Sequence, residues 1–302
     1  MEIRWHNDPP DHWAFAYGQS AAPMQQHPLY GAAMAALGCR VRYAGIGAGG
    51  VALTVSRRIG PLPFSLIGRG PLWADPRPED GAAAAGLRRI ARDIGLLACT
   101  LETGTAGKGL WPVLSARHQA VLDLAPDVSA LRAGLGGQWR SRLRGAEANG
   151  RLTYHAADPG RSAVFGQIVR AEADQRRDRR YRALPPAFIE AWLRADPRGA
   201  RFYWAGDGEG PVAGALILLH HPGATYHLAW ANQAGRSAQA PRRLLWQAIL
   251  DLKDDGYGKL DLGDVNTEDT PGIARFKIDT GARVAPLGAT VIVRPALIRR
   301  RS

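Results

Sequence analysis

Cysteine is scarce: the 302-residue chain holds two, Cys39 and Cys99. Two thiols cannot build a disulfide framework, and they leave no Cys-rich four-ligand zinc site. Lysine is scarcer still relative to arginine, with only Lys108, Lys253, Lys259 and Lys277 among 39 basic residues. Long apolar runs are missing. Gly214 to Leu219 is typical of the longest, far short of the roughly 20 residues a membrane span requires. The stretch from Met1 to Trp13 is polar and carries Asp and Pro, so it does not read as a signal peptide. The eight histidines show no HxH or HExxH spacing. His220 and His221 are adjacent, and in a strand they face opposite sides, so they cannot share a metal. No Gly-x-Ser-x-Gly elbow is present, and neither cysteine has the flanks of a nucleophile. The expectation is a soluble, cytoplasmic protein with no metal centre.

What the chain does hold is positive charge. There are 39 Lys and Arg against 27 Asp and Glu, a net charge of +12. The excess is uneven. Residues 139–182 carry 11 bases and 5 acids, and the C-terminal segment adds Arg294, Arg299, Arg300 and Arg301. Concentrated arginine recruits phosphate-rich partners. The same pattern is also that of a solvated helix face.

Periodicity divides the chain into alternating strands and helices. Val41–Tyr43 and Val51–Val55 read as strands joined by the glycine-rich residues 45–50, and Phe64–Ile67 as another short strand. A helix is expected near 80–95, with Leu87, Ile90, Ala91 and Ile94 on one face, then a strand over Ala98–Glu102. Val128–Leu135 reads as a short helix and Trp139–Gly150 as a longer one ending at Asn149-Gly150. A strand over Arg151–Ala156 precedes an amphipathic helix over Arg161–Tyr181, whose end is the basic cluster Arg176, Arg177, Arg179 and Arg180. Pro185 and Pro186 open a helix through Trp192. Arg201–Ala205 and Val212–His220 flank a hairpin loop, and Thr225–Trp230 is the next strand. Pro241 begins a helix at its first turn, where its missing N–H costs nothing. That helix runs to a stop at Gly256, before a strand over Lys259–Leu262. This is α/β architecture.

Two glycine-rich stretches invite a phosphate-binding reading. Gly45-Ile-Gly-Ala-Gly-Gly50 is followed by a strand rather than the helix that a dinucleotide fold requires, so it reads as a hairpin loop. Gly104-Thr-Ala-Gly-Lys108 has the wrong spacing for a P-loop and reads as a plain loop. The segment 236–281 is more informative. It combines a basic helix start (Arg242, Arg243), a strand ending Asp261-Leu-Gly-Asp264, and Lys277 beside Phe276. A basic helix N-terminus is a natural anion site. A lysine just beyond a strand's carboxyl end lies where α/β proteins place ligands.

This segment resembles the second acyltransferase-like domain of the FemABX family, the aminoacyl-tRNA-dependent peptidyltransferases. The resemblance rests on Pro241/Leu244/Leu245, on Gly258/Asp261/Leu262/Gly263, and on Gly272/Ile273/Phe276/Lys277/Gly281. Gln19-Ser20, the Gly68-Arg-Gly-Pro71 turn and the basic helix Trp139–Gly150 agree in the right order, so the likeness covers most of the chain. One departure is Leu260, where the family usually has Phe or Tyr.

The resemblance implies two tandem GNAT-like domains of α/β (α+β) class, each a mixed sheet flanked by helices. The first would be the acceptor side, residues 1–138. The second would comprise a linking helix and the donor side, residues 139–302, with 284–302 able to pack back on the first. It implies an acyltransferase that moves an aminoacyl group from aminoacyl-tRNA to an amine acceptor such as a peptide or peptidoglycan precursor. An acyl-CoA-dependent N-acyltransferase and a non-catalytic RNA- or phosphate-binding relative stay open. The implied catalytic residues are Lys277, Asp261 and Asp264. Tyr226, Trp230, Arg242, Arg243, Arg275 and Phe276 would hold the donor, and Arg69 the acceptor. Arg176, Arg177, Arg179 and Arg180 would hold tRNA. No cofactor is implied besides the co-substrate. Against coenzyme A stands Arg236-Ser-Ala-Gln-Ala-Pro241, which lacks the glycines that let a backbone approach a pyrophosphate.

Overall fold

The computed structural model describes residues 1–20, 22–179 and 184–296, without the side chains of Ile59 and Arg179. Arg180 and the arginines 299–301 therefore lie outside the described residues. The chain divides into two compact units: residues 1–118 together with the segment from Pro286 onward, and residues 119–285.

The first unit contains β1 (Ile3–His6), α1 (Trp13–Gln19), α2 (Pro28–Ala36), β2 (Arg40–Ile46), β3 (Gly50–Ile59), β4 (Leu62–Ile67), β5 (Leu72–Trp73), α3 (Asp80–Ile94), β6 (Leu96–Thr100) and β7 (Leu110–Leu114). The second holds β8 (His118–Asp123), α4 (Val128–Gly134), α5 (Gly137–Ala148), β9 (Thr153–Ala157), α6 (Phe165–Arg179), α7 (Pro186–Ala195), β10 (Ala200–Gly206), β11 (Pro211–His220), β12 (Gly223–Ala231), α8 (Gln233–Ser237), α9 (Ala240–Asp254), β13 (Lys259–Asp264), α10 (Pro271–Ile278) and β14 (Arg283–Pro286). The chain then returns to the first sheet as β15 (Thr290–Val293).

The first sheet runs β1-β2-β3-β4-β6-β15-β7, with β5 paired to β3. Residues 45–50 form the β2–β3 hairpin, as the strand character after the glycines predicts. Gly47 turns the chain at φ +59°, a conformation that glycine alone adopts without strain. α3 lays Leu87, Ile90 and Ala91 on the sheet beside Leu97, Cys99, Val291 and Val293, all buried. It stops at Gly95, φ +84°.

The second sheet runs β14-β8-β13-β12-β11-β10-β9. β8 pairs antiparallel with β13, so this unit begins well before the boundary expected at 138/139. β10, β11 and β12 form an antiparallel meander. α9 buries Leu244, Leu245, Ala248, Ile249 and Leu252 against one face. α7 buries Phe188, Ile189 and Trp192, while Ile168 of α6 fills the space above Gly214, where any Cβ would stand 2.5 Å from the isoleucine Cδ1. No helix among the described residues is long and apolar enough to cross a membrane.

Candidate active site

The candidate site is built where two parallel strands part. β12 and β13 pair only from Gly223↔Lys259 to Thr225↔Asp261. Past those three pairs each strand bulges. On β12 the register against β11 shifts from Ile217↔Tyr226 to Leu216↔Leu228, which leaves His227 as the extra residue. On β13 the register against β8 shifts between Asp261 and Gly263. Bulges bend and twist a strand locally, and the two together open the sheet at the carboxyl ends of β12 and β13.

Lys277 reaches this opening from α10. Its Nζ donates to the backbone oxygen of Asp264 at 2.8 Å. It also lies over Gly263, 3.2 Å from where a Cβ would stand. Gly263 sits at φ +88°, so a side chain there would be strained as well as crowded. An ammonium carries three donors, and one is spent on Asp264. Burial pulls the Lys277 pKa below its ordinary value, while Asp261 and Asp264 push it back up. The cation therefore stands in a partly desolvated place, held charged by two carboxylates.

The two carboxylates differ. Asp261 is 5% exposed. Its Oδ1 accepts from the side chain of Gln119 and, at 2.7 Å, from the backbone N–H of Gly263. It braces the β13 bulge and thereby the seat of Lys277. Asp264 is exposed. Gln119 lies on the neighbouring β8, and no motif in its own stretch of chain marks it.

Phe276, next to Lys277, packs 6.0 Å from Trp139 of α5, whose indole N–H donates to the Phe276 carbonyl at 3.1 Å. The Arg242 guanidinium lies 5.4 Å from the Phe276 ring and 6.0 Å from that of Trp139. Its Nη1 donates to Gln239 at 2.6 Å. Its Nε–H is buried with no partner among the described residues. Burial and then the nearby Arg142 lower its pKa, against Asp279. The guanidinium is half-buried against aromatic rings, a setting that suits its planar, weakly hydrated cation. Phe276 and Arg242 are thus brought together, with Lys277 next along α10.

Other expected site residues are not. Tyr226 and Trp230 stand four residues apart and would share a face of a regular strand. The bulge at His227 changes that. Tyr226 lies opposite Ile217 on the α9 side, packed against that core. Trp230 lies opposite Gly214 on the α6 side, in a groove of about 470 Å³ with Asp174, Asp178 and Arg236. They cannot line one pocket wall together. Arg243 stacks 4.0 Å over Tyr154 and donates to the Ala146 carbonyl at 3.1 Å, capping the end of α5. Arg275 is exposed and paired with Asp279 at 3.5 Å. Arg69 is 6% exposed. Its Nε and Nη2 donate to Glu102 at 2.8 and 3.0 Å. It is a buried structural brace of the Gly68–Pro71 turn and presents no face to an acceptor.

The basic cluster divides likewise. Arg176 has a side chain only 14% exposed; it donates to the Leu184 carbonyl at 2.8 Å and faces Glu172. Arg177 is exposed and pairs with Asp174. The His227 ring lies 5.7 Å from that of Phe188, within the field of the Arg176 cation. Burial, then Arg176, lowers its pKa to about 4, so it is neutral at physiological pH. Among the described residues no group of three or more His, Cys, Asp or Glu could hold a metal ion.

The segment from β12 to α9 bears on the donor. Asn232 caps α8 by accepting from the Gly235 N–H at 2.9 Å. The backbone N–H groups of Arg236, Ala238, Gln239 and Arg242 donate to Asn232, Ala234, Arg236 and Gln239 respectively. Gly235 is packed so closely that a Cβ would meet the Val212 carbonyl at 2.2 Å. The turn before α9 is therefore filled and internally hydrogen-bonded.

Residues 137–277 match the Acetyltransferase (GNAT) domain family. No curated protein matches the chain. Among solved structures, FemX is 13% identical with a TM-score of 0.76, covering 97% of this chain and 98% of its own. The C-terminal domain of a putative lysylphosphatidylglycerol synthetase from Agrobacterium fabrum is 13% identical, with a TM-score of 0.57 over 95% of this chain and 92% of that one. A tandem GNAT protein from the clavulanic acid biosynthesis pathway is 14% identical, with a TM-score of 0.53 over 96% and 97%. Residues 137–277 thus match a GNAT domain, an acyltransferase fold, and the chain as a whole carries the tandem GNAT fold also found in FemX.

Proposed function

We propose that the protein transfers an aminoacyl group from aminoacyl-tRNA to the amine of a peptide or peptidoglycan precursor. The observation that carries this reading is the filled turn before α9. A coenzyme A pyrophosphate needs free backbone N–H groups at such a turn, and here four of them are already spent within the chain. What the site offers an anionic donor instead is side-chain cations: the Arg242 guanidinium beside Phe276 and Lys277 at the parting of β12 and β13.

The chemistry asks little more. An aminoacyl ester is already activated. The acceptor nitrogen attacks the carbonyl carbon, charge gathers on the carbonyl oxygen, and the tRNA 3′-oxygen leaves as a hydroxyl, taking up the proton that the nitrogen sheds. Holding the amine in line and stabilising the oxyanion supply most of the acceleration. Lys277 would serve the second task, its charge maintained by Asp264 and by the braced Asp261. Partial desolvation strengthens that interaction. Asp264, exposed beside it, is the carboxylate able to meet the incoming amine. A thioester-dependent N-acyltransferase is the competing reading.

The test is equilibrium binding of charged tRNA and of acetyl-CoA across a salt series, followed by single-turnover transfer. The expected result is salt-dependent tRNA binding, indifference to acetyl-CoA, and at least a 100-fold loss of transfer in Lys277→Ala with its melting temperature unchanged. Saturable acetyl-CoA binding with indifferent tRNA binding would overturn the aminoacyl reading. Near-normal turnover by Lys277→Ala would remove the lysine from the mechanism.

A further inference from the structure

One face of the first sheet is apolar and open. Cross-strand partners share a face, so Leu66, Ala98, Ile292 and Trp111 form one row across β4, β6, β15 and β7. Phe64 and Leu96 form the row beside it. Leu62 precedes Phe64 by two residues and continues the face, and Leu114 joins it opposite Thr290. The reverse face carries Leu97, Cys99, Val291 and Val293, buried beneath α3. On the open face Leu62 is 62% exposed, Trp111 57%, Leu114 54% and Leu96 46%. Helices α1 and α2 pack on β2, β3 and β5 instead.

The charges around this face have one sign. Arg57 lies opposite Phe64 on the same face, and Arg294 stands two residues past Ile292; both are exposed. Strands β3, β4, β6, β7 and β15 contain no Asp or Glu. A contiguous exposed apolar patch marks an interaction surface. A second copy seated on it would bring the same arginines against one another. An anionic lipid surface satisfies both parts: acyl chains accept the leucines, the headgroup level suits an amphipathic indole, and the phosphates meet the arginines.

We propose that the open face of β4, β6, β15 and β7 seats the first unit on an anionic phospholipid bilayer, lying on its surface without spanning it. The inference stands apart from the identity of the acyl donor. It is tested by flotation of the full chain with vesicles of phosphatidylglycerol and phosphatidylcholine in equal parts, against phosphatidylcholine alone. The expected result is at least about tenfold tighter association with the anionic vesicles, weakened by salt. The double variant Trp111→Ser, Leu96→Ser loses that association by about tenfold or more. Arg57→Ala loses about fivefold, the worth of one arginine near such a surface. Because all three side chains are exposed, melting temperatures stay at the parent value; were the double variant to fail to fold, Arg57→Ala and the salt series decide alone. Equal association with both vesicles, or indifference to Arg57→Ala, overturns the proposal. So does concentration-dependent dimerisation that Trp111→Ser abolishes, which would assign the face to a second copy.

Discussion

Arg69 and Lys277 are two basic residues beside turn glycines, and their surroundings give them different work. The Arg69 guanidinium is nearly dry and bound by two hydrogen bonds to Glu102, itself 8% exposed at the side chain. Removing one partner leaves an uncompensated buried charge, which costs about 3–5 kcal/mol. Glu102→Ala is therefore expected to lower unfolding free energy by about that amount, while the double change Arg69→Met, Glu102→Leu recovers most of it. Denaturant titration checks both. An unchanged midpoint in Glu102→Ala would show that the pair contributes no net stability. Lys277, by contrast, keeps donors beyond the one given to Asp264 and stands where two strands part. A cation with spare donors at an opening can act on a ligand; a cation sealed against a carboxylate holds a turn.

At the scale of elements, β12 decides the site. Its bulge leaves His227 unpaired in the ladder and sends Tyr226 and Trp230 to opposite sides. It also gives the second unit a titrating group. His227 is held near 4, below its ordinary 6.5. The folded state then binds fewer protons than the unfolded state between those values, so stability rises with pH across that window. Stability contributed by neutral His227 is complete above about pH 6.5 and is lost as the pH falls toward 4. His227→Gln is expected to flatten the dependence of the chemical-denaturation midpoint between pH 4 and 6.5 while leaving it unchanged in shape above pH 7. An identical slope in parent and variant would place the acid sensitivity elsewhere. The turn that follows β12 shows the same economy of backbone: α8 is capped by Asn232, and Gly235 is pressed on Val212.

At the scale of the whole molecule, the net charge of +12 is not one uniform binding surface. Arg176 is committed inside the second unit, and Arg177 is presented to solvent. The two should therefore separate in a tRNA-binding experiment. Arg177→Ala is expected to reduce the slope of log K against log salt by about 0.7–0.9, the worth of one phosphate contact, with no loss of stability. Arg176→Ala is expected to lower stability by about 1–3 kcal/mol, because the Leu184 carbonyl and Glu172 lose a partner, and to change the salt slope little. An unaltered slope in Arg177→Ala would return that residue to the solvated face.

Much of this protein follows from its order of residues alone. Apolar periodicity marked α3, α9 and the β10–β12 meander, because a helix or strand must bury one stripe to be stable and that stripe is written locally. Prolines and glycines marked the helix start at Pro241 and the hairpin at 45–50, because they act through their own φ. The segment 236–281 pointed to Phe276 beside Lys277 and to Arg242 at a helix start, since two short elements, α9 and α10, carry all of them. Tertiary structure alone decided the rest. The exact pairing of β15 between β6 and β7, in a segment whose return to the first domain the family resemblance had allowed, and the pairing of β8 with β13 join residues far apart in the chain. No local pattern encodes such partners. Nor does any pattern show a bulge, which reverses the faces of every residue beyond it, or the burial that turns Arg69 and Arg176 from exposed cations into braces. Period and propensity are properties of neighbours along the chain, whereas desolvation and pairing are set by whatever the fold brings from elsewhere.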